Sequence, residues 1–275
     1  MSLLWLRVAV LLYGIAALAV LPAALYDRPR WRHIAIPATI AGLLFHFVSL
    51  AEMLNAAHHS LPVDTHETQS LLSLLFALAF ALVYLAFRTY ALGIILLPLA
   101  FLLGLLPAFR PGLEGTFDAA NVPGLHSGWL FLHIALLLAA YAALIVSLVA
   151  SVLYLIQERR LKSKALTTPR IKLPPLDTLD RIALRALLFG LPSMTAGLLI
   201  GSFLAEVTYG PSYFRDPKIL LAFAMWVAYV GMIYIRRHSG LRGRRAVYLA
   251  GSVFFVILAV WASNQFSAVH RFPTP

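Results

Sequence analysis

No cysteine occurs anywhere in the 275 residues. Disulfides, thiolate metal centres, cysteine nucleophiles and thioether attachment of a prosthetic group to this chain are therefore excluded. Acid is scarce, with 11 Asp and Glu against 22 Lys and Arg, and charge of either sign makes up only 12% of the chain. A nucleophile–base pair, a glycine-rich phosphate loop and a complete metal motif are all missing, so the reading is of a protein that is not an enzyme.

What the chain has instead is apolar surface. Hydrophobic residues make up 61% of it, and the mean hydropathy is +0.85. A soluble domain of this length cannot hide so much. The expected class is all-α, a polytopic membrane protein with about eight transmembrane helices, because a helix satisfies its own backbone in lipid and a span needs about 20 apolar residues. The runs fall near 3–24, 34–53, 69–87, 90–108, 128–156, 183–207, 217–235 and 246–268. The first lacks a basic segment ahead of it and is long for a leader, so it reads as a retained helix. The whole of 1–275 reads as one integral membrane domain, with a cytoplasmic connection at 157–182 and an outer aromatic loop at 207–218.

The net charge of +11 does not signal nucleic acid here, since no soluble basic domain carries it. Its partner is the lipid bilayer. With loops 1–2, 3–4, 5–6 and 7–8 facing the cytoplasm, every basic residue except Arg7, Arg110, Arg215, Lys218 and Arg271 lies on that side. This is the positive-inside pattern of a multi-pass protein of the cytoplasmic (inner) membrane with both termini outside. All acids except Asp27, Glu158, Asp177 and Asp180 then lie toward the outside. "LPPLDTLDR" leads into the sixth helix, with Asp177 or Thr178 as a capping residue.

Nine histidines stand out in so apolar a chain. His33 and His238 lie among cytoplasmic basic residues and read as interfacial. His58, His59 and His66, with Asp64 and Glu67, offer imidazole and carboxylate in "NAAHHSLPVDTHETQS", but at no metal-motif spacing. His46 lies inside the second span. His133 enters the fifth span about 7–8 Å below its outer end, and His270 follows the last span. Each suits a hydrogen-bonded buried histidine. His133 and His270, before and after one aromatic outer loop, also suit opposite axial ligands of one haem iron.

Between the sixth and seventh spans stands "YGPSYFRDPKILLAFAMW", residues 209–226, with three charges among aromatics. Asp216 followed by Pro217 reads as an N-cap and first helical residue, with Arg215 and Lys218 at headgroup level. Aromatics at helix ends are ordinary in membranes. Gly197 and Gly201 form a GxxxG, a helix-packing signal.

Together with "WLFLHIALLLAAYAALIVSLVASVLYLIQERRLK", "LPPLDTLDR" and "GLLIGSFLAE", this stretch resembles the CcsA/CcmC/HemX family of membrane cytochrome c assembly proteins, most nearly its eight-helix YpjD/HemX-like branch. The resemblance covers about residues 66 to 271. It implies that the outer loop is an aromatic haem platform. Tyr209 stands where the family has its first Trp, Gly210 matches, and Tyr213 stands at an aromatic position. Arg215 replaces a Trp; Asp216, Pro217 and Lys218 match; Ile219 and Leu221 replace Glu and Trp; Trp226 matches. His133 falls on the first outer histidine, His270 on the second, and Glu67 on an acid before the third helix. The family's intramembrane histidine falls on Arg236, and His238 is two residues away.

The implied function is haem binding or delivery at the outer membrane face in cytochrome c assembly. The implied cofactor is haem b, with apocytochrome c or other assembly proteins as partners. Such a platform needs aromatic area, which Tyr209, Tyr213, Phe214 and Trp226 supply. It needs iron ligands, from His133 and His270. It needs cations for the propionates, from Arg215 and Lys218 beside Asp216. Two other functions fit the same composition: a non-catalytic HemX-like regulatory or scaffold protein with a degenerate platform, and a small-solute transporter, for which no inverted repeat is evident.

Overall fold

The computed structural model describes residues 2–25, 28–56, 65–109, 127–162, 173–210 and 214–238, together with 248, 251 and 252. Among these residues the ordered elements are helices: α1 Ser2–Leu25, α2 Pro29–Ala56, α3 Thr65–Phe87, α4 Gly93–Phe109, α5 Ser127–Lys162, α6 Leu176–Tyr209 and α7 Pro217–His238. Each of the first seven expected spans is present. The eighth, 246–268, lies almost entirely outside the described residues.

Six of these helices are long and apolar enough to cross a membrane. The shortest, α4, has 17 residues and a length of about 25 Å. The chain is a polytopic, all-helical membrane protein.

Local sequence sets the ends. α2 and α7 both begin at proline, whose missing N–H costs nothing in a first turn. α3 begins with Glu67 in its first turn, where a carboxylate meets the positive end of the helix dipole. α5 continues past the apolar run to Lys162, beyond the span expected at 128–156. The sixth helix departs from the capping expectation. It begins at Leu176 after Pro175, without a side-chain cap, and Asp177 is already inside the first turn. Proline fixes the entry φ by itself, and Asp177 pairs instead with Arg181, one turn on, at 3.0 Å.

α1 packs on α2 and α4, α3 on α4 and α5, α5 along α6, and α6 on α7. Tyr13, Phe76, Phe80, Leu92, Leu97 and Leu179 form the larger core, which ties α1 and α3–α4 to the start of α6. Leu187, Met194, Met225, Tyr229 and Met232 form a second core between α6 and α7. Large apolar side chains such as Leu18, Leu44, Phe47, Leu199 and Phe203 point outward. In water such a surface would drive association, whereas in lipid it is the required coat.

Candidate functional site

α5, α7 and the short turn leading into α7 carry His133, Phe214, Arg215, Asp216, Lys218 and Trp226, those of the expected site residues whose side chains are described. His133 lies in the second turn of α5 and reaches across to α6. Its Nδ1 is 2.6 Å from the carbonyl oxygen of Gly197. A carbonyl only accepts, so Nδ1 carries the proton, and in the neutral ring the lone pair is then on Nε2. The ring lies directly against Gly201, where an added Cβ would run into the imidazole. Gly197 also lets α5 come close, since a Cβ there would sit 3.3 Å from the backbone nitrogen of Leu137. The GxxxG therefore packs one helix against another and also seats the histidine.

α7 begins beside this seat. Asp216 is buried, and its Oδ1 accepts the backbone N–H of Lys218 at 2.9 Å. Its carbonyl accepts from Ile219 and Leu220, both at 3.1 Å. Asp216 is thus the N-cap and Pro217 the first helical residue, as the sequence reading had it. The cap places Lys218 where its ammonium acts on both Asp216 and His133. Arg215 and Phe214 occupy a single 3₁₀ turn just ahead, both exposed, with the Phe214 ring 6.3 Å from that of Phe223. Gly210, which ends α6, has φ 67°, a conformation that suits glycine at a helix C-cap.

Trp226 lies about 13 Å further along α7 than Pro217. Its indole N–H donates to Thr195 Oγ1 at 2.9 Å, and Thr195 in turn donates to the Leu191 carbonyl at 2.8 Å. This tryptophan is joined to α6 within one turn of Gly197, rather than gathered with Phe214 and Arg215. Tyr213 and His270 lie outside the described residues, as does the side chain of Tyr209.

The remaining histidines divide plainly. His46 is 1% exposed, with Nε2 2.9 Å from Ser70 Oγ and its ring 5.8 Å from that of Tyr13. It is a buried histidine of the α1–α3 packing. His58 and His59 lie outside the described residues, as does the side chain of His66. Among the described residues no group of three or more His, Asp or Glu could hold a metal ion. Arg236, at the position where the family resemblance has an intramembrane histidine, donates to Asp180 Oδ1 at 2.6 Å and ties α7 to α6. A guanidinium cannot ligate iron.

Sequence reasoning did not assign Thr195, Gly201 and Gly197 to this site as partners of Trp226 and His133. The i, i+4 spacing that puts Gly197 and Gly201 on one face of α6 was the available signal, and nothing in the sequence pointed to Thr195. The residues present suit haem chemically. An imidazole is held by a backbone carbonyl with its second nitrogen left for a ligand bond, as metal-binding histidines are held. Lys218 carries a cation toward the same imidazole, Arg215 and Phe214 lie exposed just ahead of α7, and without cysteine the chain cannot attach haem through a thioether.

A profile of the cytochrome c assembly protein family matches residues 38–267. Individual relatives agree. A cytochrome c biogenesis protein CcsA of Guillardia theta is 27% identical over 215 residues, covering 72% of this chain and 71% of that protein. The protein of that name in Trieres chinensis is 26% identical over 260 residues, covering 84% and 82%. That of Prochlorococcus marinus (strain MIT 9515) is 30% identical over 167 residues, so this chain spans about half of it, 54%. With the family profile covering most of its length, the chain belongs to the cytochrome c assembly protein family.

Proposed function

We propose that this protein takes part in cytochrome c assembly by holding haem b non-covalently at the outer face of the cytoplasmic membrane and passing it to an apocytochrome or another assembly protein. The observation that supports this is the His133 Nδ1–Gly197 contact, which leaves the lone pair of the neutral ring on Nε2. His270 is the second ligand in this reading. Phe214, with Tyr209 and Tyr213, gives apolar area against the macrocycle. Arg215 and Lys218 meet the propionates. Trp226 supports the platform from below by locking α7 to α6 through Thr195. Haem, when bound, would supply an iron that His133 and His270 could hold through imidazole nitrogen. The chain itself orients the imidazole, neutralises carboxylates and excludes water from one face. It forms no bond that a transfer step would have to break, apart from iron–histidine coordination.

The test is the absorption spectrum of the detergent-purified protein. A Soret band is expected, and it should shift or vanish in His133→Ala and in His270→Ala. A haem-free preparation from haem-replete cells that takes up none on titration would sink the reading.

A further inference from the structure

At the opposite, arginine-rich end of the bundle, four segments line an open cavity of about 250 Å³: the end of α1, the start of α2, the turn between α3 and α4, and residues 173–178 entering α6. Arg32, Arg88, Thr89, Tyr90 and Thr178 supply its polar lining, and no acid is among the described residues that line it. Nothing in the haem reading uses this cavity.

The two arginines are held in place by a tyrosine pair. Tyr90 OH donates to Tyr84 OH at 3.2 Å, with the rings 5.0 Å apart. The Arg32 guanidinium lies 5.2 Å over the Tyr90 ring, and that of Arg88 lies 5.8 Å over the Tyr84 ring. Such stacking positions a guanidinium while its N–H donors stay at the edges of its plane. Burial and the Tyr84 hydrogen bond push the Tyr90 hydroxyl up to about 12, so it stays a donor.

The backbone adds an independent observation. Arg88 ends α3 with its N–H on the Tyr84 carbonyl at 2.8 Å and with φ 53°, and it is the one non-glycine residue with positive φ among those described. Glycine is the usual occupant of that position, because other L-residues are disfavoured there. An arginine kept at such a site holds its side chain against the cavity at a cost in backbone strain.

We propose that this cavity is an oxyanion site that takes a phosphate group between Arg32 and Arg88, from either an anionic phospholipid headgroup or a small soluble phosphate. Its volume falls below the roughly 300–1,000 Å³ of pockets that enclose drug-sized ligands, which suits a headgroup rather than a macrocycle. Basic pockets between helices at a membrane surface recognise anionic headgroups in this way.

The experiment uses the full chain, purified in detergent and stripped of lipid, with thermal unfolding and native mass spectrometry as readouts. It is titrated with phosphatidylglycerol, with phosphatidylcholine as the neutral control, and separately with inorganic phosphate against chloride at matched ionic strength. Phosphatidylglycerol is expected to raise the melting temperature and to appear as a bound adduct. Arg32→Gln and Arg88→Gly should weaken binding about tenfold or more, and the surface variant Arg159→Gln should bind as wild type. A response to phosphatidylglycerol alone assigns the site to lipid, and an arginine-dependent response to phosphate as well assigns it to free oxyanions. Arg88→Gly also guards against misfolding. Glycine fits the left-handed turn, so without anion this variant should melt no lower than wild type. No response to either anion, or a response undiminished in both variants, overturns the proposal.

Discussion

The imidazole of His133 rests on Gly201, and its Nδ1 is fixed by the carbonyl of Gly197 one turn away. The ring's position and its tautomer are thus both set by α6. Gly201→Ala should therefore move the histidine without touching it chemically. Overpacking a tight contact costs roughly 1–3 kcal/mol, so a lower melting temperature is expected, with a Soret band altered as in His133→Ala. Gly128→Ala is the matched control, since a Cβ there meets nothing within 4 Å. If the two glycine variants melt alike and share one spectrum, the seat for His133 is misplaced.

Asp216 offers a second check at the same end of the bundle. Its carboxylate caps α7 through the Lys218 N–H at 2.9 Å. Loss of such a cap costs about 0.5–2 kcal/mol, and Asn replaces it well. Asp216→Ala should be destabilised by about 1 kcal/mol in a denaturant titration, and Asp216→Asn by clearly less. Equal losses in the two would mean that the carboxylate's charge, not its capping geometry, holds the start of the helix.

Seven of the eight expected spans and this cap were legible in the sequence because both are local properties. Hydropathy marks a span, and Asp before Pro marks a start. The partners were not legible, because they depend on which helix faces lie together. Trp226 finds Thr195 31 residues away, Arg236 finds Asp180 56 residues away, and His133 finds Gly197 64 residues away. The glycine pair was visible as a packing motif. Its second use, seating an imidazole, appears only when α5 is laid against α6. Trp226 reads from its place in the family pattern as platform surface, yet a donor-only indole beside a threonine on the next helix makes a joint. His46 was visible as an intramembrane histidine, and only the fold supplies Ser70 and Tyr13 as its neighbours.

The tryptophan joint gives a third prediction. Trp226→Phe keeps the aromatic bulk but removes the N–H donated to Thr195. A net loss of about 0.5–1.5 kcal/mol is expected, seen as a lower melting temperature. The Soret maximum should stay in place, because Trp226 is joined to Thr195 on α6, about 13 Å along α7 from the proposed platform. A displaced Soret band with unchanged stability would put Trp226 in direct contact with haem instead.

The Arg236–Asp180 pair gives the fourth prediction. Its N–O distance is 2.6 Å, with the arginine side chain 6% and the aspartate side chain 21% exposed. Removing one partner of a buried pair leaves a charge without its counter-ion and costs about 3–5 kcal/mol, whereas replacing both with apolar groups is often close to neutral. Because Asp180 keeps some access to solvent, Arg236→Leu should fall at or below the low end, roughly 3 kcal/mol. Asp180→Leu should cost at least as much, since it strands the more deeply buried guanidinium. The double variant Asp180→Leu/Arg236→Leu should recover most of either loss. A thermodynamic cycle over these four proteins, measured by reversible unfolding in mixed micelles, isolates the coupling. Additive losses would show that the contact contributes nothing of its own. A large coupling would show that α7 is held on α6 at this end by the ion pair, as it is held nearer the start of α7 by Trp226 and Thr195.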